Sequence, residues 1–329
     1  MIPSEEVSVS NLHRPLFVVG CGRSGTTMLR LMLDSNPEIA IPNESHFIPA
    51  FWAIRHRYMR GGRLDAIQLT KDIMKTRHFR LWKVPQENVL QEIKALDSPT
   101  FSEMIHSVFL SYAKLHGRIR WGDKTPKYVL FIPLLANLFP DSLFVHLIRD
   151  GRNVVLSYLS LPWGPGNIWK AAWKWRRDVT AGRTAGKRLG SSRYLELRYE
   201  SLVEQPQRVL EKVCDFAGIP YSEKMLEYHR DGSERLQWPD GMRFHASSTR
   251  PPAVSTRDWR SQMTADHQMC FEAVTGDLLT DLGYERQFSK IPIPRLLQAR
   301  LRSRYFLLQT AAKSAKRKIK RRFTKDPVL

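Results

Sequence analysis

The chain has 329 residues, 42% hydrophobic and 26% charged, with 52 Lys and Arg against 32 Asp and Glu, a net charge of +20. This composition excludes wholesale disorder, and the length suffices to bury a large core in one α/β unit or two smaller domains. The longest apolar run, Tyr128 to Phe139, contains Pro133 and falls well short of the roughly 20 residues of a membrane span. The N-terminal stretch has two acids and no basic, apolar signal core, and Cys21, Cys214 and Cys270 lack metal-ligand or disulfide spacing. These features set the expectation of a cytoplasmic enzyme.

Leu16 to Val19 reads as a short buried strand, followed by Gly20-Cys21-Gly22-Arg23-Ser24-Gly25-Thr26-Thr27 and a helix carrying Met28, Leu29, Leu31, Met32 and Leu33. Glycines let successive N–H groups turn inward, and a helix N-terminus adds partial positive charge, so Gly22 to Thr27 form a phosphate cradle. Against the nucleotide-triphosphatase pattern G-x-x-x-x-G-K-[ST], the lysine position holds Thr26, and Arg23 brings a charge from three residues earlier. A mostly helical insertion follows between Ile48 and His116. There Arg55, His56, Arg57, Arg60 and Arg63 form either a wall for an anionic acceptor or a solvated basic face. Phe101 to His116 reads as helix, and Thr125 reads as an N-cap with Pro126 at the first helical position.

Leu143 to Ile148 reads as a second strand, ending at Arg149-Asp150-Gly151-Arg152 and leading into a helix from Asn153 to Leu159. Arg149 at the strand end and Ser157 two turns along the helix suit a second phosphate group, although Arg-Asp pairs at strand ends also serve as structural salt bridges. Trp163, Trp169, Trp173 and Trp175 come next, as a stacking wall or as core. A third strand, Tyr194 to Leu197, ends at Arg198-Tyr199. Alternating strands and helices predict an α/β fold with a P-loop-type, mainly parallel sheet flanked by helices. Pro292 and Pro294 mark a boundary that divides the chain into an arm (1–14), a body (15–289) and a tail (290–329). The tail holds 13 Lys and Arg and one acid. Its Leu297, Leu301, Tyr305, Leu308, Ala312, Ala315 and Ile319 recur at three- and four-residue spacing. That is a basic amphipathic helix, suited to an anionic membrane surface or to packing on the body.

Together and in order, GCGRSGTT, PNESHF, GDKTP and IRDGRNVVLS resemble the sulfotransferases that use 3′-phosphoadenosine 5′-phosphosulfate, most of all the bacterial branch related to the tyrosylprotein enzymes. The resemblance runs from about Pro15 to Tyr284. It implies that Gly22, Arg23, Ser24, Gly25, Thr26 and Thr27 hold the 5′-phosphosulfate end, that Arg149 and Ser157 hold the 3′-phosphate, and that Tyr199 lies near the nucleotide. The run Val254 to Arg260, with Arg257, resembles a late loop that closes over the cofactor. The resemblance also makes Glu44 the candidate general base. His46 competes, because imidazole titrates near neutrality and some branches use a histidine. A carboxylate suits that role only if its surroundings raise its pKa or the acceptor binds tightly against it. Lys124 is the candidate cation for the leaving oxygen, with Arg23 assisting.

The implied reaction is in-line sulfuryl transfer from this co-substrate, with positioning and cation placement as the main catalytic effects and no metal. The expected acceptor is a carbohydrate or glycolipid hydroxyl, with protein tyrosine the second choice. A small-molecule or nucleoside kinase is the alternative, but it would need a lysine near Thr26 and a magnesium site. Most of the excess charge sits in the tail and no base-reading motif is present, so no specific nucleic-acid partner is expected. The sequence leaves the oligomeric state open, and the tail makes peripheral attachment to the cytoplasmic face of a membrane part of the expectation.

Overall fold

The computed structural model describes residues 14–230, 250–252 and 257–323, with side chains as far as Lys316. Seven strands are found among them: β1 (Leu16–Gly20), β2 (Ile39–Ala40), β3 (Met59–Arg60), β4 (Arg63–Leu64), β5 (Arg120–Lys124), β6 (Leu143–Ile148) and β7 (Tyr194–Arg198). Five of them form a parallel sheet in the order β2-β5-β1-β6-β7, while β3 and β4 pair as a small antiparallel hairpin. β1 is central, with Leu16 in register with Gly122 of β5 and with Leu143 of β6.

Helices cover both faces of the sheet, which is why β1 and β6 read as unbroken apolar runs. Phe17, Val19 and Phe144 face the helical insertion, and Phe17 stacks on Phe144 at 5.3 Å. Leu16, Val18, Val145 and Leu147 face the helices Thr26–Asp34 and Pro206–Ala217. The chain leaves β1 for β2 at one edge, returns to β5, then crosses β1 to reach β6 and β7. The carboxyl ends of β5, β1 and β6 therefore meet at a reversal of winding, where parallel sheets hold their ligands.

β2 and β5 are strands that the sequence reading lacks. β5 is Arg120-Trp121-Gly122-Asp123-Lys124, and all of it is buried. Three charged residues hide the apolar signal, and each is there for a positional reason. Arg120 donates to the carbonyls of Ala217 at 2.7 Å and Gly218 at 3.2 Å, where a helix C-terminus favours a cation. Asp123 and Lys124 lie at the ligand end of the strand. Thr125 is the N-cap ahead of Pro126, as read from the sequence, extended at φ −125, but its side chain makes no capping bond. Its Oγ1 instead accepts from Ser45 N at 3.1 Å, tying the end of β5 to the loop that carries Glu44. Pro126 opens a 3-10 turn, Pro126–Leu130.

The tail forms the helix Ile293–Phe323. Pro292 and Pro294 start it, because first-turn N–H groups have no intrahelical partner to lose. The backbone N–H groups of Arg295 and Leu296 both donate to the Pro292 carbonyl. The helix docks on the body through Ala299 and Phe306, both buried, with Phe306 5.9 Å from Trp173 and Arg302 over the ring of Trp169. The stripe read from the sequence lies on the other face: Leu297, Leu301, Tyr305 and Leu308 are 51%, 67%, 57% and 68% exposed. Ala312 and Ala315 are exposed as well, and the Ile319 side chain lies outside the described residues. Among the described residues no helix is long and apolar enough to cross a membrane.

Candidate active site

The glycine loop leaves β1 and opens the helix Thr26–Asp34, with Gly25 as its N-cap at φ 91. A Cβ on Gly25 would come within 2.3 Å of the Tyr199 ring, and one on Gly22 within 2.6 Å of the Tyr158 hydroxyl. Both glycines are therefore demanded by close approach, and Gly25 by its left-handed backbone too. Ser24, Thr26 and Thr27 are buried, and Ser24 Oγ has no hydrogen-bond partner. An acceptor atom supplied by a ligand would complete it.

Arg23, itself at φ 71, turns its side chain across the loop, and its Nε donates to Ser157 Oγ at 2.9 Å. Arg149 reaches the Arg23 carbonyl at 3.4 Å and lies over the Tyr199 ring at 4.3 Å. Burial first, and then the neighbouring charges of Arg257 and Arg149, push the Arg23 guanidinium below its usual range. Burial lowers Arg149 too, with Tyr199 and Glu200 opposing and Arg257 adding. Arg23, Arg149 and Arg257 thus converge from three segments at a cost that a polyanion would relieve. The two groups of residues read separately from the sequence are brought together, Arg23 meeting Ser157 through its side chain and Arg149 through its carbonyl. Val254, Ser255 and Thr256 lie outside the described residues. Asp150 and Arg152 take the structural role: Arg152 donates to Asp150 from Nε at 3.0 Å and from a terminal nitrogen at 2.7 Å, with its guanidinium over Trp259.

Glu44 lies between Lys124 and His46. Its Oε1 accepts from Lys124 Nζ at 2.6 Å and its Oε2 meets His46 Nε2 at 2.8 Å. Lys124 also donates to Thr27 Oγ1 at 3.3 Å, so the ammonium stands between the phosphate loop and the carboxylate. Burial alone would raise the Glu44 carboxyl, but the Lys124 charge and the bond and charge of His46 override it and hold it far below the usual carboxylate range. The surroundings therefore do the reverse of what a general base requires while no ligand is bound. Burial lowers Lys124 against the pull of Glu44. Beneath them, burial raises the Asp123 carboxyl to about 6, moderated by the Ser45 and Thr125 hydroxyls. His46, at φ 55, packs its ring 4.3 Å from that of His78, which burial and the His46 charge push down to about 4.

These groups open into a cavity of about 1000 Å³. Among the described residues Glu44 is the one acid that lines it, against Arg23, Arg77, Lys127, Lys170, Lys174, Arg177 and Lys313. Two of the four tryptophans reach it, Trp163 and Trp173, whereas Trp169 and Trp175 are core. The arginine cluster from Arg55 to Arg63 contributes nothing to this wall: Arg55 stacks on Trp52 at 3.5 Å, and His56, Arg60 and Arg63 are exposed. The insertion supplies Arg77 instead. The helix Ile168–Leu189 adds Lys170, Trp173, Lys174 and Arg177, which share one face. Their i, i+3, i+4, i+7 spacing was present in the sequence, but a mixed cationic and aromatic stripe does not read as one surface until something packs beside it. Asp178 anchors the stripe, accepting from Lys174 at 2.5 Å and from Arg177 at 2.6 Å.

Residues 15–223 match the sulfotransferase family model, and residues 165–283 match a sulfotransferase domain model. The chain is 27% identical over 222 residues to protein-tyrosine sulfotransferase 2 of Gallus gallus, covering 65% of this chain and 53% of that protein, so it spans about half that relative's length. It is 26% identical over 312 residues to the nodulation protein NoeE of Sinorhizobium fredii, covering 84% of this chain and 68% of NoeE. Its fold is similar to that of the sulfotransferase domain of the Synechococcus PCC 7002 olefin synthase, with a TM-score of 0.56 at 23% identity over 83% of this chain and 95% of that domain. The sulfotransferase domain of the curacin biosynthetic pathway gives 0.52 at 20% identity over 83% of this chain and 98% of that domain. A single family model that runs from β1 past β7, over more than half of the chain, makes this protein a member of the sulfotransferase family.

Proposed function

We propose that this sulfotransferase moves the sulfuryl group of 3′-phosphoadenosine 5′-phosphosulfate to a carbohydrate or glycolipid hydroxyl. The observation that carries the reading is the Lys124–Glu44 contact beside Thr27, at the point where the phosphate cradle opens into the cavity. Bound there, the donor supplies a sulfuryl group already activated by its phosphate leaving group. Arg149, Ser157 and Arg23 grip the 3′-phosphate, and the N–H groups and hydroxyls from Ser24 to Thr27 grip the other end. Lys124 turns its charge toward the bridging oxygen, and Glu44 thereby loses the interaction that most depresses it. Burial then works in the opposite direction and raises the carboxyl, so Glu44 can take the acceptor proton only when the donor is in place. His46 holds the second carboxylate oxygen.

The acceptor class rests on the wall. Trp163 and Trp173 give the wall aromatic surface of the kind that packs on the C–H groups of a sugar, and the surrounding cations suit one that carries negative charge. Protein tyrosine is the second reading, favoured by the animal relative's name. Radiolabelled sulfate offered as this donor to envelope extracts should appear in lipid or polysaccharide fractions; label confined to tyrosine would replace the acceptor. Calorimetry tests the donor separately, with adenosine 3′,5′-bisphosphate expected to bind far more tightly than AMP, and equal affinity for the two sinking it.

A further inference from the structure

The tail helix has two apolar faces, and the body covers one. Ala299 and Phe306 are buried against it. Ile293, Leu297, Leu301 and Leu308 point the other way, each at least half exposed, on a helix whose spacing aligns them along one ridge. Arg304 falls within this ridge, between Leu297 and Leu308, with Arg300 on one flank and Lys316 on the other, all exposed. The segment from Lys290 to Leu329 carries 13 basic residues and a single acid. An apolar ridge flanked and punctuated by exposed cations is complementary to a bilayer interface, where acyl chains receive the leucines and anionic headgroups the cations. A soluble partner or second copy would have to bring an acidic groove to match.

We infer that the outward face of the tail helix is a docking surface for an anionic membrane. The body-facing side of the same helix contributes Thr310 and Lys313 to the cavity wall. A docked helix therefore holds that wall within about one helix diameter, roughly 10 Å, of the headgroups. An acceptor hydroxyl borne on a lipid then reaches Glu44 without leaving the surface. The inference is independent of the donor and acceptor assignments, because its test reads binding and no turnover.

Flotation of the full chain with vesicles of phosphatidylglycerol and phosphatidylcholine tests it. The protein should rise with them, stay behind with pure phosphatidylcholine, and be released at about 1 M salt. The triple substitution Leu297→Glu, Leu301→Glu, Leu308→Glu should cut the bound fraction by at least about tenfold while leaving the melting temperature unchanged, since these side chains touch little of the body. Absence of binding to the anionic vesicles, or equal flotation of the triple variant, overturns the inference. A vesicle-free dimer that the same variant dissolves overturns it in favour of a second copy.

Discussion

Glu44 is depressed by a lysine that the proposed reaction needs elsewhere, and this sets what substitutions there should do. Glu44→Gln should lower kcat by about 10²–10⁴-fold with little change in the affinity for adenosine 3′,5′-bisphosphate. It also strands a buried ammonium, a change that costs about 3–5 kcal/mol of stability. The double variant with Lys124→Gln should recover melting temperature but not turnover, which separates the two effects. His46→Asn should reduce kcat less than Glu44→Gln; an equal or larger loss would make His46 the base. Asp123 gives a pH signature of its own. Its folded pKa of about 6 lies above the ordinary 3.8, so its stabilising contribution is complete at the acid end and is lost as pH rises through 6. Relative to Asp123→Asn, the wild type should therefore lose roughly 2–3 kcal/mol of unfolding free energy between pH 4 and pH 7 in denaturant titrations. A flat difference would show that this carboxyl titrates normally.

At the scale of elements, the loop after β1 was legible because its chemistry is local: glycines, hydroxyls and a helix start are consecutive in sequence. Gly25→Ala tests that reading, since the new methyl must enter the Tyr199 ring at a left-handed backbone position. Affinity for adenosine 3′,5′-bisphosphate should fall by about tenfold or more by calorimetry, and Gly25→Ala binding as well as wild type would show that the loop is not a tight cradle. β5 was not legible. Arg120, Asp123 and Lys124 interrupt the hydrophobic pattern, and what makes them buried, a helix C-terminus for Arg120 and Glu44 for Lys124, comes from segments distant in sequence. The tryptophans divide for a similar reason: Trp175 is core because Phe271 packs on it, and Trp169 and Trp173 meet the tail helix, all partners distant in sequence. Trp163→Ala should accordingly raise KM for the acceptor several-fold and leave donor affinity unchanged.

At the scale of the whole molecule, one cavity gathers the cradle, the Glu44 loop, the helix Ile168–Leu189 and the tail helix. Lys124 supplies the positive charge beside the cradle, so turnover should persist in EDTA; loss of activity restored by magnesium would revive the kinase alternative. The sequence by itself determined the strand, glycine loop and helix start around which the proposed donor site is built, because Gly20 to Thr27 are consecutive and their backbone requirements are local. Only the tertiary structure decided the rest. It paired Lys124 with Glu44 across 80 residues and lowered the pKa of that carboxyl. It built the cavity wall from Arg77 and the later helices and left the Arg55 to Arg63 cluster outside it. It also turned the leucine stripe of the tail outward, since a periodic pattern defines a face but only packing chooses which face the body covers.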